Sequence, residues 1–142
     1  MLYFDTSFLV PLVRNEATSA RVERFMARLP VGELAVSHWT RVEFASLLGR
    51  DVSMAGLTSE AAKRADAVFE AVVEESFVVL LPEADDFDLA KEYLSHHQTG
   101  LRAGDALHLA IAGNRRMEAI FSLDKTLVKA GKTLGLPISS GI

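Results

Sequence analysis

The sequence contains no cysteine. That excludes a disulfide framework, a thiolate metal site and a cysteine nucleophile, and it fits a reducing compartment. Aromatics are few: eight Phe, two Tyr and one Trp. No apolar run approaches the roughly 18 residues of a membrane span. The N-terminal Leu2-Tyr3-Phe4 run has no basic lead-in and is interrupted at once by Asp5, so it does not read as a signal peptide. The expected location is cytoplasmic, with no membrane association. A basic excess is missing too. Fifteen Lys and Arg against 19 Asp and Glu leave a net charge of −4, which disfavours a generic nucleic-acid coat. There is no repeat, linker or low-complexity segment.

What remains is a globular composition, 49% hydrophobic and 24% charged over 142 residues. The length suits one domain over residues 1–142. Charge is unevenly spread. Residues 1–59 hold six acids and six bases, 60–99 hold ten and three, and 100–142 hold three and six. The acidity sits in the middle third, and a cationic surface elsewhere is compatible with the total.

The hydrophobic pattern alternates between strand and helix. Leu2–Phe4 reads as a buried strand ending at Asp5, and Thr6 or Ser7 can cap a helical turn after it. A helix is predicted from Thr18 to Arg28, a strand over Glu33–Ser37, a helix over Thr40–Val52 and another from Thr58. Phe77–Leu81, closed by Pro82, is the strongest strand signal. Helices follow over Ala84–His97 and Arg102–Arg116. Then come a strand over Ala119–Ser122, a helix over Lys125–Leu134 and a short strand over Pro137–Ser139. Such alternation predicts an α/β fold, a parallel sheet of four to five strands flanked by helices on both faces. In that architecture function collects beyond the carboxyl ends of the strands.

Most of the acids lie on helix surfaces or near helix starts, where the macrodipole favours them. Four do not. Asp5 and Asp124 end strands, Glu43 sits between Val42 and Phe44, and Asp105 opens an otherwise apolar helix. Each alone has an ordinary reading, as a helix cap or an acceptor for terminal amides. Together they predict a cluster at one edge of the sheet. Clustered carboxylates repel by about 4 kcal/mol at 4 Å near a protein surface, so a cluster persists where a cation uses it. Mg²⁺ and Mn²⁺ are hard ions that take such oxygens and bridge them to phosphates.

Four segments now show a resemblance: Leu-Tyr-Phe-Asp-Thr-Ser-Phe-Leu-Val at the start, Trp39-Thr40-Arg41-Val42-Glu43-Phe44, Leu101-Arg102-Ala103-Gly104-Asp105-Ala106-Leu107-His108-Leu109-Ala110, and Phe121-Ser122-Leu123-Asp124-Lys125. In order and spacing they resemble the motifs of PIN-domain ribonucleases, and the chain is similar to the VapC-like toxins of toxin–antitoxin pairs. The resemblance implies a PIN-like three-layer sandwich and a Mg²⁺- or Mn²⁺-dependent endoribonuclease. It implies Asp5 and Asp105 as principal metal ligands, with Glu43 and Asp124 completing the pocket directly or through water. Ser122 stands where a hydroxyl orients a ligand or water. An antitoxin partner and a homodimer are implied too.

The chemistry is consistent with this without the family. Metal-assisted phosphodiester hydrolysis needs no side-chain nucleophile. No Ser–His–Asp arrangement is evident, and the glycines at 100 and 104 lack the P-loop lysine. His108, three residues after Asp105, reads as a packed or hydrogen-bonded core histidine. His96 and His97 read as helix-end residues. Arg14, Arg41, Arg102, Arg115, Arg116, Lys125, Lys129 and Lys132 are candidates for a rim that holds RNA. Arg102 and Lys125, flanking two of the acids, have the strongest claims, whereas Lys129 and Lys132 read as solvated surface. Trp39 is a candidate for base stacking or for the core. Apolar residues between Thr40 and Ser76, among them Leu47, Leu48, Met54, Val68 and Phe69, predict a groove for an antitoxin segment. Two other readings stand beside the nuclease. One is a haloacid-dehalogenase-like phosphatase with Asp5 as nucleophile, weakened by Ser at position 7. The other is a non-catalytic PIN-like binding module.

Overall fold

The computed structural model describes residues 1–142. Its elements run β1 (Leu2–Phe4), α1 (Thr6–Val13), α2 (Ser19–Met26), β2 (Leu34–Ser37), α3 (His38–Ser53), α4 (Ser59–Ser76), β3 (Val78–Leu80) and α5 (Ala84–Leu94). After a 3₁₀ turn over His97–Thr99 come α6 (Ala103–Asn114), β4 (Ala119–Phe121), α7 (Lys125–Thr133) and β5 (Ile138–Ser139). The strands form one sheet in the order β3-β2-β1-β4-β5. Every pairing is parallel.

The strand period of two builds the layers. On β1, Tyr3 enters one apolar cluster with Leu107, Ile111, Ile120 and Leu127. Its neighbour Phe4 enters the other with Phe8, Val22, Phe44, Phe69 and Phe121. Adjacent side chains of one strand thus seed both halves of the core. The first half is held by α1 to α4, the second by α6 and α7. Full burial of each large apolar side chain contributes about 1.5–3 kcal/mol, and the stacked pair Phe44–Phe69, with centroids 4.0 Å apart, fixes α3 against α4.

Helix ends follow the caps. Thr58 accepts from the Ala61 amide and starts α4. Ser37 and Thr40 form a reciprocal box, so α3 begins two residues before the predicted Thr40. The predicted helix over Ala84–His97 stops at Leu94, because the chain tightens into the 3₁₀ turn ending at Gly100 in the left-handed region. Phe77–Leu81 yields only a three-residue strand at the edge of the sheet. Phe77 is buried there, whereas Val78 and Leu81 face outward.

No helix is long and apolar enough to cross a membrane. The strand order reverses direction between β1 and β4, the switch point of an open parallel sheet. Asp5 follows one of these strands, and Ser122 and Asp124 follow the other.

Candidate active site

The switch point opens into a cavity of about 550 Å³ whose lining includes Asp5, Glu43, Asp105 and Asp124. All four acids singled out in the sequence meet there. They arrive from the ends of β1 and β4, the first half of α3 and the first turn of α6.

Asp5 is 4% exposed. Its Oδ1 accepts from the Ser7 hydroxyl at 2.7 Å and the Phe8 amide at 3.2 Å. Its Oδ2 accepts from the Ser122 hydroxyl at 2.7 Å. Asp5 therefore caps α1 and lines the cavity at once. Burial pushes its carboxyl above the usual range; the charge of His108 and these hydrogen bonds act against that rise. Ser122 is fully buried, and its oxygen also accepts from the Asp124 amide at 3.1 Å. Its role in the structure is to orient Asp5 and the turn that carries Asp124. Ser7, unremarked in the sequence apart from its capping potential, closes the same turn by accepting from the Leu123 amide at 2.9 Å.

Asp124 caps α7 through Oδ1, which accepts from the amides of Thr126 at 2.9 Å and Leu127 at 3.2 Å. Asp105 differs from both. Burial raises its pKa first, then the negative charges of Asp124, Glu43 and Asp5; only the charge of His108 pulls the other way. No lysine or arginine is ion-paired with any of the four acids.

Glu43 is held by side chains distant in sequence. The Thr6 hydroxyl donates to its Oε1 at 2.5 Å, and His108 Nε2 meets the same oxygen. Behind His108, Nδ1 lies 2.7 Å from the Tyr3 hydroxyl, which donates to Ser37 Oγ at 3.0 Å. Desolvation opposes the charge on Glu43, but the His108 hydrogen bond and charge, with Thr6 and Trp39, outweigh it and lower the pKa. His108 is thus the buried, hydrogen-bonded histidine that the sequence suggested, and its partner is one of the four acids. The Trp39 indole N–H leans toward Glu43 without completing a hydrogen bond. Gly104 makes room for both. A Cβ there would stand 2.8 Å from Glu43 Oε2 and 3.2 Å from Trp39 Cζ2. Trp39 packs partly against the core and lines two cavities, the acidic one and an apolar one with Val42, Phe87 and Leu107.

The basic residues separate into two groups. Arg14 is paired with Asp51, Arg41 with Glu70, and Arg115 with Asp86. These three, named above as rim candidates, are committed within the fold. Arg102 lines the acidic cavity, as does Arg50, which the sequence did not single out. Lys125 lines an adjoining cavity.

The donor set is uniformly carboxylate oxygen, the chemistry of a hard divalent cation. No three acidic or histidine side chains stand close enough together to hold one ion between them. Mg²⁺ itself keeps several waters and takes only one or two protein carboxylates.

Residues 2–133 match the PIN domain. The chain belongs to the PIN-domain family. The family is one of nucleases. Solved structures share the fold. The VapC20 toxin of Mycobacterium tuberculosis, titled as cleaving the sarcin–ricin loop, superposes with a TM-score of 0.75 at 21% identity over 96% of each chain. FitAcB from Neisseria gonorrhoeae gives 0.71 at 16%, covering 99% of this chain and 98% of that one. VapBC-1 from nontypeable Haemophilus influenzae gives 0.70 at 16%, with the same coverage. No curated protein sequence matches significantly.

Proposed function

We propose that the protein, as one PIN-like nuclease domain over residues 1–142, is a Mg²⁺-dependent endoribonuclease acting in the cytoplasm as the toxin of a toxin–antitoxin pair. Mn²⁺ is the alternative ion. The observation that carries this reading is the meeting of Asp5, Glu43, Asp105 and Asp124 in one cavity without a lysine or arginine paired to any of them.

In this reading Asp5 and Asp105 are the principal metal ligands, and Glu43 and Asp124 bind directly or through water. A divalent cation held by these residues would supply an acidified water at neutral pH and offset charge on the phosphate. The protein's own groups fix the geometry. Ser7, Ser122 and the Phe8 amide lock Asp5 so that neither oxygen swings. Thr6 and His108 grip one oxygen of Glu43 and leave the other beside Gly104. Asp124 commits Oδ1 to the cap of α7. Arg102, on the wall of the same cavity, attracts the RNA backbone, and Lys125 extends that attraction next door.

The antitoxin belongs to the same reading. It is supported by neighbours titled as VapBC and FitAB assemblies. Leu48 and Phe69 are buried in the core, so the proposed groove narrows to Leu47 with the exposed Met54 and Val68. A homodimer is proposed through the apolar cavity edged by the exposed Val42 and Phe87.

Purified protein freed of any co-purifying partner is expected to cut a structured RNA with Mg²⁺ or Mn²⁺ and to stop on addition of EDTA. Cleavage that persists in EDTA overturns the metal mechanism.

A further inference from the structure

The acidic cavity presents a substrate problem. Every phosphate of an RNA strand is negative, and the catalytic floor carries four carboxylates. The scissile phosphate has the cation for company; its uncut neighbours do not. A strand threaded through this site therefore needs a cationic rest beyond the reach of the acids.

One lies next door. A second cavity of about 320 Å³ is lined by Gln98, Thr99, Lys125, Thr126, Lys129 and Thr133, and contains no acid. Thr126 lines both cavities, so the two are contiguous. Lys125 and Lys129 are one helical turn apart on α7, and place two cations on one face. Neither takes part in any ion pair of the protein. By contrast, Arg14, Arg41 and Arg115 are all bound to carboxylates. The amides of Thr126 and Leu127 are taken by Asp124, so the attraction here comes from the lysines and not from the helix end. Asp124 thereby joins the two cavities: it caps the helix whose side carries the cations.

We propose that the Lys125–Lys129 face of α7, with Thr126 and Gln98, is a subsite for an uncut phosphate of the RNA strand flanking the scissile one. The proposal rests on the nuclease reading above and adds to it a residue, Lys129, that the sequence assigns to ordinary surface. The subsite reads charge and not base identity, because its groups are ammonium, hydroxyl and amide. Its contribution is to binding, and the chemistry stays with the acids.

The test uses a short fluorescein-labelled single-stranded RNA of mixed sequence. Binding is followed by anisotropy across a KCl series, in the cleavage-silent Asp105→Asn protein with Mg²⁺ present. Lys129→Ala is expected to reduce the slope of log K against log salt by about one unit, equally across sequences. Lys132→Ala, on the same helix but outside the cavity, is expected to leave it unchanged. In the cleaving protein, Lys129→Ala should raise KM several-fold and leave kcat near the parent value. A lysine that merely stabilised α7 would leave the salt slope alone. An unchanged slope for Lys129→Ala, or an equal change for Lys132→Ala, overturns the subsite and leaves the nuclease standing. A parent protein that neither cuts nor binds RNA overturns the nuclease reading, and the subsite with it.

Discussion

Asp86 and Asp5 are both almost completely buried, at 1% and 4% exposure, and the protein treats them in opposite ways. Asp86 is surrounded by donors. Arg115 Nη1 reaches both of its oxygens, at 2.9 and 3.0 Å, the Asn114 amide donates at 2.8 Å, and the Glu83 amide at 2.8 Å. Arg115 also donates to the carbonyls of Leu81 and Ile111. Desolvation works against the Asp86 charge, but Arg115 and Asn114 overcome it and lower the pKa. The result is a clamp between α5 and α6 with the cation built in. Asp5 has neutral donors only, and its pKa is raised by burial. Asp105 is raised too, by burial and by the neighbouring acids. Asp86 comes with its own cation; Asp5 and Asp105 have no lysine or arginine paired to them.

Three substitutions and conditions sharpen that contrast. The largest effect is expected on activity. Asp105→Asn should cut RNA cleavage by about a thousandfold, ~4 kcal/mol of barrier, without lowering the melting temperature of the metal-free protein. Asp86→Ala should do the reverse. Removing one partner of a buried pair costs about 3–5 kcal/mol, so thermal unfolding should shift sharply down while cleavage per folded molecule is retained. If Asp105→Asn destabilises as strongly as Asp86→Ala, the two sites are alike and the contrast fails.

The second effect is on metal binding. Mn²⁺ at about a hundredfold over its dissociation constant should stabilise the parent protein by ~2.7 kcal/mol, measured as a rise in melting temperature. Asp105→Asn should gain far less, and Asp86→Asn should gain as much as the parent. A metal shift that survives in Asp105→Asn locates the ion elsewhere.

The smallest effect is on the pH dependence of metal-free stability. Asp5 and Asp105 bind a proton more tightly folded than unfolded, so their ionisation weakens the fold as pH rises from about 4 through their raised values. Asp86 and Glu43 act in the other sense: their contribution is present at neutral pH and is lost as pH falls through their lowered values. Asp105→Asn should therefore melt slightly above the parent at pH 7, and the difference should close as pH falls toward 4. A difference that widens in acid would mean that Asp105 is held as a stabilised anion.

Much of this was legible in the sequence. Asp5 and Asp124 sit directly after short apolar runs, and strand ends of a parallel sheet share one edge, so their meeting followed from topology. Asp105 stood out because a charged residue opens seven buried positions, Ala106 to Ala112. What local pattern could not show are the partners. His108 reaches Glu43 across 65 positions and Ser122 reaches Asp5 across 117, and nothing in either segment names the other. Arg115 looked as free as Arg102 until Asp86 was placed beside it. Gly104 carried no signal as a glycine, since its backbone needs no left-handed turn; only the packed positions of Trp39 and Glu43 show why a methyl group does not fit. The apolar run at Phe77–Leu81 misled on extent, because hydrophobicity marks an edge strand as readily as a central one.

The sheet order has a consequence for how the molecule comes into being. The central strand, β1, is the first to be made, and its neighbour β4 begins at residue 119. On a ribosome the chain emerges N-terminus first, so Asp5 waits for the residues up to 124 before Ser122 can hold it and Asp124 can stand beside it. Such distant pairing closes late and slowly. A fragment released early therefore lacks the completed acidic cavity, however well its first helices have formed. The order of synthesis itself therefore delays the assembly of the acidic cavity until residue 124 has emerged.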